Sequence, residues 1–436
     1  MARKLLALLP LLVAAYARSI NEESKHWGVI VAGSNGWFNY RHQADACHAY
    51  QILRKNGIPE ERIITMMYDD IANNRENPTP GKIINRPDGP DVYHGVKIDY
   101  REEEVNPENF LKVLKGDKEG MVGIGNGRVL ESGPNDHVFV NFVDHGAPGI
   151  IAFGSKFLHA SDLHHTILNM NKEQRYGQMV IYVEACESGS MFDKNLLPKD
   201  INVFATTAAN AHESSYACYM DKERKTFLGD VYSVRWMEDS DKEDLSTETL
   251  TKQFEIVRRE TNTSHVMEFG NLTMGSIDVA EFQGKNTEMH IFDKQPIPNP
   301  NLDAVPSEDV EMNILQLKVQ LAESDWEREL VNQKLEDLKI TRRRTEETFK
   351  HIMALSVNNN KDLVYDLMTE RLPLLAHDCY KPVTEYLRTN CPGLNLVKND
   401  YALRHLYTFV NLCEHQTPQE AIMGAIDKTA EDTDLC

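Results

Sequence analysis

Val180-Ile181-Tyr182-Val183-Glu184-Ala185-Cys186-Glu187-Ser188-Gly189-Ser190 runs from a β-branched apolar segment into a thiol bracketed by carboxylates and small residues. A short, continuous apolar run that stops at turn residues reads as a strand buried on both faces. A second such run, Val138-Phe139-Val140-Asn141-Phe142-Val143, ends in Asp144-His145-Gly146. Others lie at Val29 to Ala32, Ile63 to Met67 and Val203 to Thr206, with helical stretches between them. After the first, Ala46, Tyr50 and Leu53 follow helical spacing and Asn56-Gly57 supplies a left-handed stop, completing one βαβ unit. The alternation predicts an α/β fold: a mostly parallel sheet with helices on both faces.

In such sheets chemistry gathers on the loops beyond the carboxyl ends of the strands. Those loops carry Gly33-Ser34-Asn35-Gly36-Trp37-Phe38-Asn39-Tyr40-Arg41-His42, Asp144-His145-Gly146, Glu184 to Gly189, and Thr207 through Ser214-Ser215. A cysteine hydrolase needs a thiolate, an imidazole to manage protons, and donors aimed at the oxyanion. Cys186 and His145 are 41 residues apart, room for one crossover helix. Neighbouring parallel strands run about 5 Å apart, so the two side chains are expected to meet. Gly146 has no side chain to obstruct a substrate carbonyl, and the backbone N–H groups of Gly146 and Cys186 are the candidate oxyanion hole. Burial as a structural thiol is the commonest fate of a free cysteine. Flanking Glu184, Glu187 and Ser188 favour an open, substrate-reading rim instead.

The rest of the chain sets the context. Its 436 residues carry 67 acidic against 47 basic side chains, a net charge of −20 that repels a phosphate backbone, so no nucleic acid partner is expected. Arg3 and Lys4 precede an apolar stretch to Tyr16, too short for a bilayer, and Ala15-Tyr16-Ala17 is a small-residue exit. Residues 1–17 therefore read as a signal peptide leading to the secretory route, and no later run is long enough for a membrane span. Asn262-Thr263-Ser264 and Asn271-Leu272-Thr273 are glycosylation sequons. Cys379, Cys391, Cys413 and Cys436 cluster near the C-terminus and suggest two disulfides, leaving Cys47, Cys186 and Cys218 with an odd thiol.

Pro296, Pro298, Pro300 and Pro306 mark a linker, followed by a charged helical stretch from Val310 to about Leu355 and further helices. Ser324 and Arg328 break the heptad begun by Ile314, Leu317 and Leu321, which favours a compact bundle docked on the first domain over a coiled coil. Gly123-Ile124-Gly125-Asn126-Gly127 lacks the strand and helix of a phosphate loop, and His159, His164 and His165 lack helical zinc spacing, so no metal or cofactor is expected.

The motifs Ala32 to Trp37, Asn39-Tyr40-Arg41-His42-Gln43-Ala44-Asp45, Asp144-His145-Gly146, Glu184 to Ser190 and Glu213-Ser214-Ser215-Tyr216-Ala217-Cys218 are similar to those of the legumain family of asparaginyl endopeptidases. The resemblance implies a caspase-like α/β/α sandwich followed by an all-α, death-domain-like prodomain. The implied divisions are a propeptide at 18–25, a cysteine peptidase domain at 26–284, a linker or activation peptide at 285–325 and the prodomain at 326–436. It makes Cys186 the nucleophile, His145 the general acid/base and Asn39 the amide that orients the imidazole. Arg41, His42, Glu184, Ser214, Ser215 and Asp230 become the specificity pocket, Asp144 a succinimide position, and Cys379–Cys413 and Cys391–Cys436 the disulfides. Implied partners are substrates with Asn or Asp at the cleaved bond, the prodomain as inhibitor, and cystatin-type inhibitors. The implied compartment is lysosomal, endosomal or extracellular, and a thioester admits ligation beside hydrolysis.

One departure concerns activation: Gln316-Leu317-Lys318-Val319-Gln320-Leu321 stands where an activating asparagine is expected, leaving Asn313, Asp309, Asp303 or Asn301 as substitutes. Two rival readings are a non-catalytic binding or inhibitor protein acting through its C-terminal domain, and an anchor-attaching transamidase subunit. The first has no use for Asn39, His145 and Cys186 together; the second is expected to carry a membrane anchor and to lack the helical domain.

Overall fold

The computed structural model describes residues 24–154, 156–285, 299–396, 399–432 and 436. The expected signal peptide, most of the short propeptide, and Pro296 and Pro298 of the linker lie outside the described residues.

The first half alternates as expected: β1 (His26–Ala32), α1 (Tyr40–Lys55), β2 (Ile63–Met67), α2 (Pro107–Lys115) and β3 (His137–Val143). A small antiparallel sheet follows, made of β4 (Gly146–Ala147), β5 (Ile150–Phe153) and β6 (Lys156–His159), and leads into α3 (Ala160–Lys172). Next come β7 (Gln178–Glu184), β8 (Val203–Thr207), the hairpin β9 (Tyr216–Asp221) and β10 (Thr226–Asp230), α4 (Val231–Lys242), α5 (Leu250–Glu260), β11 (Met267–Gly270) and α6 (Ala280–Gln283). The central sheet has six strands in the order β11-β8-β7-β3-β1-β2, all parallel except the edge strand β11.

Alternate side chains of each strand feed two separate cores, as the pleat requires. Ile30, Phe139, Val180, Tyr182 and Phe204 pack with α1, α4 and α5 on one face. Val29, Val140, Phe142, Ile181 and Ala205 pack with α2 and α3 on the other. This is a three-layer α/β/α sandwich. Helix α1 is buried almost all round, because Ala46, Tyr50 and Leu53 join the core while the β9–β10 hairpin lies along it. Its first turn therefore carries Arg41 and His42 into the interior.

Beyond the linker lie β12 (Val305–Pro306), α7 (Val310–Leu321), α8 (Asp325–Ser356), α9 (Lys361–Thr369), α10 (His377–Asn390), α11 (Asp400–Leu403), α12 (Tyr407–Glu414) and α13 (Gln419–Asp432). The linker is less bare than its prolines suggest. Pro306 is tolerated on the edge strand β12, which pairs with β9, and α7 buries Val310 and Ile314 against Ala217 and Phe227. The charged helical stretch is likewise interrupted: Ser324 leaves helical geometry and its hydroxyl accepts from the Glu327 N–H at 3.1 Å, capping α8. The terminal helices form a third core around Phe349, Val383, Phe409 and Ile422, which continues into Ala147, Ile150 and Phe157 of the small sheet. The bundle is thus docked on the peptidase layers next to the strand end that bears His145.

Both expected disulfides are present, Cys379–Cys413 and Cys391–Cys436, while Cys47, Cys186 and Cys218 are free and buried. Cys379–Cys413 joins α10 to α12 across 34 residues. Replacing both cysteines by serine releases a loop whose closure is worth about 3–4 kcal/mol in the chain-entropy account. Urea unfolding of the precursor should show that loss in the transition of the helical domain; an unchanged midpoint would remove the disulfide from the account of its stability.

Candidate active site

Strands β3 and β7 pair in parallel with Val143 opposite Glu184, so His145 and Cys186 each lie two residues past the same rung. The Asp144 N–H donates to the Glu184 carbonyl at 3.1 Å, carrying the ladder into the loops. A Cβ on Gly146 would sit 2.1 Å from the Cys186 carbonyl oxygen and 3.0 Å from Ala185 Cβ, so only glycine lets the two loops touch. Asn39, at the end of a tight turn after β1, donates its amide to the Asn35 carbonyl at 3.0 Å. That leaves Asn39 Oδ1 for His145 Nε2, 3.0 Å away. The Ser215 N–H donates to Cys186 Sγ at 3.4 Å, and the Ser215 hydroxyl lies 3.9 Å from the same sulfur.

The expected specificity residues converge beside this pair. Arg41 donates through Nε to Asp230 at 2.8 Å and through a terminal nitrogen to the Ser307 hydroxyl at 2.7 Å. His42 shares a 2.6 Å hydrogen bond with Ser34, and its ring stands edge-on to that of His145, 4.8 Å between centroids. One Glu184 oxygen accepts from both the N–H and the hydroxyl of Ser233 at 3.0 Å. Asp45, Asp144, Glu184 and Asp230 are all buried here, and Arg41 pairs directly with Asp230. Burial pushes Asp45 and Glu184 well above the usual carboxylate range, and the Asp230 charge adds to the rise in both. Glu184 Oε1, Asp230 Oδ2 and His42 Nε2 are buried without a hydrogen-bond partner. Such orphans cost about 1–3 kcal/mol each unless a ligand completes them.

The C-terminal domain closes over the thiol. Asp400, Leu403 and Arg404 join Glu308 of the linker above His145, Gly146 and Cys186, leaving a cavity of about 10 Å³. That holds about one water and no peptide. Asp400 Oδ2 lies 3.2 Å from His145 Nε2, and Arg404 pairs with Glu308 at 3.4 Å. The Ser214 hydroxyl donates to Glu308 at 2.5 Å, and Arg342 holds Asp309 at 2.6 Å. Under this cover burial, reinforced by Glu187 and Glu308, pushes the Cys186 thiol up, while burial and then Arg41 push the His145 imidazole down. The closed chain therefore holds a neutral thiol and a neutral imidazole, the unreactive pairing.

The open rim expected around Cys186 is not what the structure holds. Cys186, Glu184 and Glu187 keep 8%, 1% and 8% of their surface, because Ser233 draws one Glu184 oxygen inward and the cover seals the rest. Asp45, Ser34, Ser307, Asp400 and Arg404 received no role from sequence. Asp45 is one helical turn beyond Arg41, a spacing that places both on one face; the contacts of Ser307, Asp400 and Arg404 are long-range and leave no local mark. Of the sequons, Asn262 is exposed, whereas Asn271 is partly buried with its amide oxygen accepting from the Thr273 hydroxyl at 2.6 Å.

A thiol and an imidazole on neighbouring strand ends, with a helical domain sealing them, define a cysteine endopeptidase in its precursor form. Comparisons agree: the profile of the Peptidase C13 family matches residues 26–285, and that of the legumain prodomain matches residues 333–430. The chain belongs to the Peptidase C13 family. It is 52% identical to legumain of Rattus norvegicus over 404 residues, covering 93% of this chain and 92% of that one. With legumain of Homo sapiens it shares 51% over 406 residues, covering 92% of each, and with the vacuolar-processing enzyme delta-isozyme of Arabidopsis thaliana 42% over 425 residues, covering 92% and 89%. Among solved structures, caspase-1 from Spodoptera frugiperda is similar at a TM-score of 0.34 with 9% identity, over 62% of this chain and 94% of that one. The chain is accordingly a cysteine peptidase zymogen whose substrates are proteins and whose own prodomain covers it. Among the described residues no helix is long and apolar enough to cross a membrane.

Gly146→Ala should abolish peptide cleavage by the processed enzyme, because the new methyl must displace the Cys186 backbone. Full activity in that variant would show that the two loops are not held as described.

Proposed function

We propose that the protein cleaves peptide bonds after asparagine, and after aspartate in acid. Cys186 Sγ adds to the scissile carbonyl while the N–H groups of Gly146 and Cys186 hold the oxyanion. His145, steadied by Asn39, takes the thiol proton and returns it to the leaving amine as the C–N bond breaks. Water then hydrolyses the thioester, releasing the acid and regenerating the thiol; an amine in its place gives ligation.

The observation that carries the specificity is the set of buried orphan atoms. The two N–H bonds of a carboxamide fit acceptors at Glu184 Oε1 and Asp230 Oδ2, and its oxygen fits a donor on Arg41. The terminal Arg41 nitrogen that a substrate oxygen would take is held by Ser307 in the closed chain. An aspartate carboxylate would meet Glu184 and Asp230 as like charges until acid protonates it or them. Within the processed domain, Asp144 is the candidate succinimide: its carboxyl accepts from the His145 N–H at 2.7 Å, and burial raises it toward the neutral form from which that nitrogen expels water.

We assign residues 1–17 to a signal peptide and 18–25 to a propeptide, 26–284 to catalysis, 285–325 to the activation segment and 326–436 to inhibition. The route is secretory, ending in a lysosomal or endosomal compartment or outside the cell. Cystatin-type inhibitors would compete for the same cleft. Asn313 lies inside α7, Asp303 accepts from the Tyr219 and Met220 N–H groups, Arg342 holds Asp309 and Asn301 donates to the Glu260 carbonyl, so each substitute cleavage position is tied down until the segment loosens.

Acid release follows from buried imidazoles rather than from the raised carboxyls. Asp400, pushed up to about 6 by burial against Arg41 and Arg342, binds its proton more tightly in the closed chain and so favours closure in acid. His405 is pushed the other way, to about 4, by burial and then Arg404 and Arg371 against Glu346, and neither ring nitrogen has a hydrogen-bond partner. The rings around His405, Phe349, Tyr401 and Tyr407, and the charges that act on it all belong to the helical domain. The depressed imidazole therefore stabilises the fold of that domain above pH 6.5; that stability is lost as the pH falls through 6.5 toward 4, and the loosened domain lets go of the site. The contribution is up to about 3 kcal/mol. Glu385 acts in the same direction: burial opposes its ionisation, but His159 across the interface and Arg388 hold its carboxyl below the usual range.

Two measurements test these statements. Paired peptides with Asn or Asp at the cleaved bond should differ by at least about 100-fold in kcat/KM at pH 7, the scale of a buried unmatched charge, and converge near pH 5; equal cleavage at pH 7 contradicts the pocket. His405→Gln should move self-processing of the precursor to a lower pH, and an unchanged midpoint removes His405 as the trigger.

A further inference from the structure

We propose that His26, His137 and Glu281 form a zinc site at the amino-terminal edge of the sheet, at the opposite ends of the strands from Cys186. His26 and His137 open β1 and β3 and are register partners, so parallel pairing alone puts both imidazoles on one rung. Their ring centroids are 5.5 Å apart. Glu281, on α6, crosses that edge with Oε2 3.3 Å from His137 Nδ1 and 4.0 Å from His26 Nε2. One ligand atom from each of the three lies within 4.8 Å of the others.

The chemistry of the set suits zinc. Two imidazoles and one carboxylate leave a fourth position for water, and imidazoles are mostly unprotonated at pH 7.5. Bonds of about 2.0–2.1 Å at tetrahedral angles separate ligand atoms by roughly 3.3 Å, the spacing of His137 Nδ1 and Glu281 Oε2. His137 Nδ1 donates to the Glu281 main-chain carbonyl at 2.9 Å, so an ion takes the place of that hydrogen bond and of its proton. His26 closes the remainder by a small side-chain rotation. The side chains keep 22%, 16% and 28% of their surface, enough for an ion and its water to enter. Two neighbours also support the arrangement. Lys285 pairs with the other Glu281 oxygen, Oε1, at 3.1 Å, which orients the carboxylate with Oε2 toward the two imidazoles, while its ammonium charge is the one the ion must outcompete. The Phe282 ring, 5.5 Å from that of His137, limits rotation of the imidazole. A bound ion would clasp β1 and β3 to α6, the last element before the linker. No sequence motif announces it, because His137 and Glu281 are 144 residues apart.

The test is calorimetric titration of ZnCl2 into the full-length precursor at pH 7.5, with His26→Ala and Glu281→Gln beside the parent chain. The parent should take up one equivalent of zinc that His26→Ala lacks and that Glu281→Gln binds at least about tenfold more weakly. Glu281→Gln keeps the shape of the side chain, and far-UV circular dichroism confirms that each variant is folded. Cobalt in place of zinc should give four-coordinate ligand-field bands without thiolate charge transfer. Failure of the parent to bind zinc overturns the proposal. So does equal uptake by all three chains, which would place the ion elsewhere, for instance at His42, Asp144 and His145.

Discussion

Parallel pairing of β3 with β7, in the register that sets Val143 against Glu184, is the constraint from which the site is built. It leaves His145 and Cys186 level with one another at the rim, and it requires glycine at 146 because the Cys186 carbonyl occupies the space of a side chain. The sheet order then brings the loop after β1, with Asn39, to the other side of the imidazole. A slip of one residue would turn every core side chain of β7 to the wrong face, so the two hydrophobic layers hold the register that chemistry needs.

A second constraint is the cost of burying charge. Helix α1 sends Arg41, His42 and Asp45 into a region that already holds Glu184 and Asp230. Removing a lone ion from water costs several kcal/mol, so these groups survive only by pairing, by taking up protons, or by waiting for a ligand. Arg41 with Asp230 is the first case, the raised carboxyl of Asp45 is the second, and the orphan atoms of Glu184 and Asp230 are the third. The helical domain extends the same principle. By excluding water it keeps the thiol protonated and the imidazole neutral, so inhibition needs no distortion of the dyad.

Much of the peptidase layer was legible in the sequence, because buried parallel strands are written as short apolar runs and their loops follow directly. Cys186 and His145 follow the strands that those runs predict, and Asn39 and Arg41 follow β1. The linker was harder to read. Its prolines argue against regular structure, yet an edge strand accepts Pro306 and α7 follows at once. The burial of Glu184 and Glu187 was misread because local sequence shows charge but not the serine, arginine and cover that meet it. Contacts such as Ser307 with Arg41 or Asp400 with His145 join segments far apart in the chain, and no spacing rule reaches them.

The central claim, that one thiol is armed beside a carboxamide cavity once water reaches it, has a direct measurement. A thiol-directed electrophile bearing an asparagine side chain is added to the closed precursor at pH 7.5 and to acid-processed enzyme, and adducts are mapped by peptide mass spectrometry. The account predicts a single adduct at Cys186 in the processed enzyme and almost none in the precursor. Equal labelling of both forms, or labelling at Cys47 or Cys218, would contradict it.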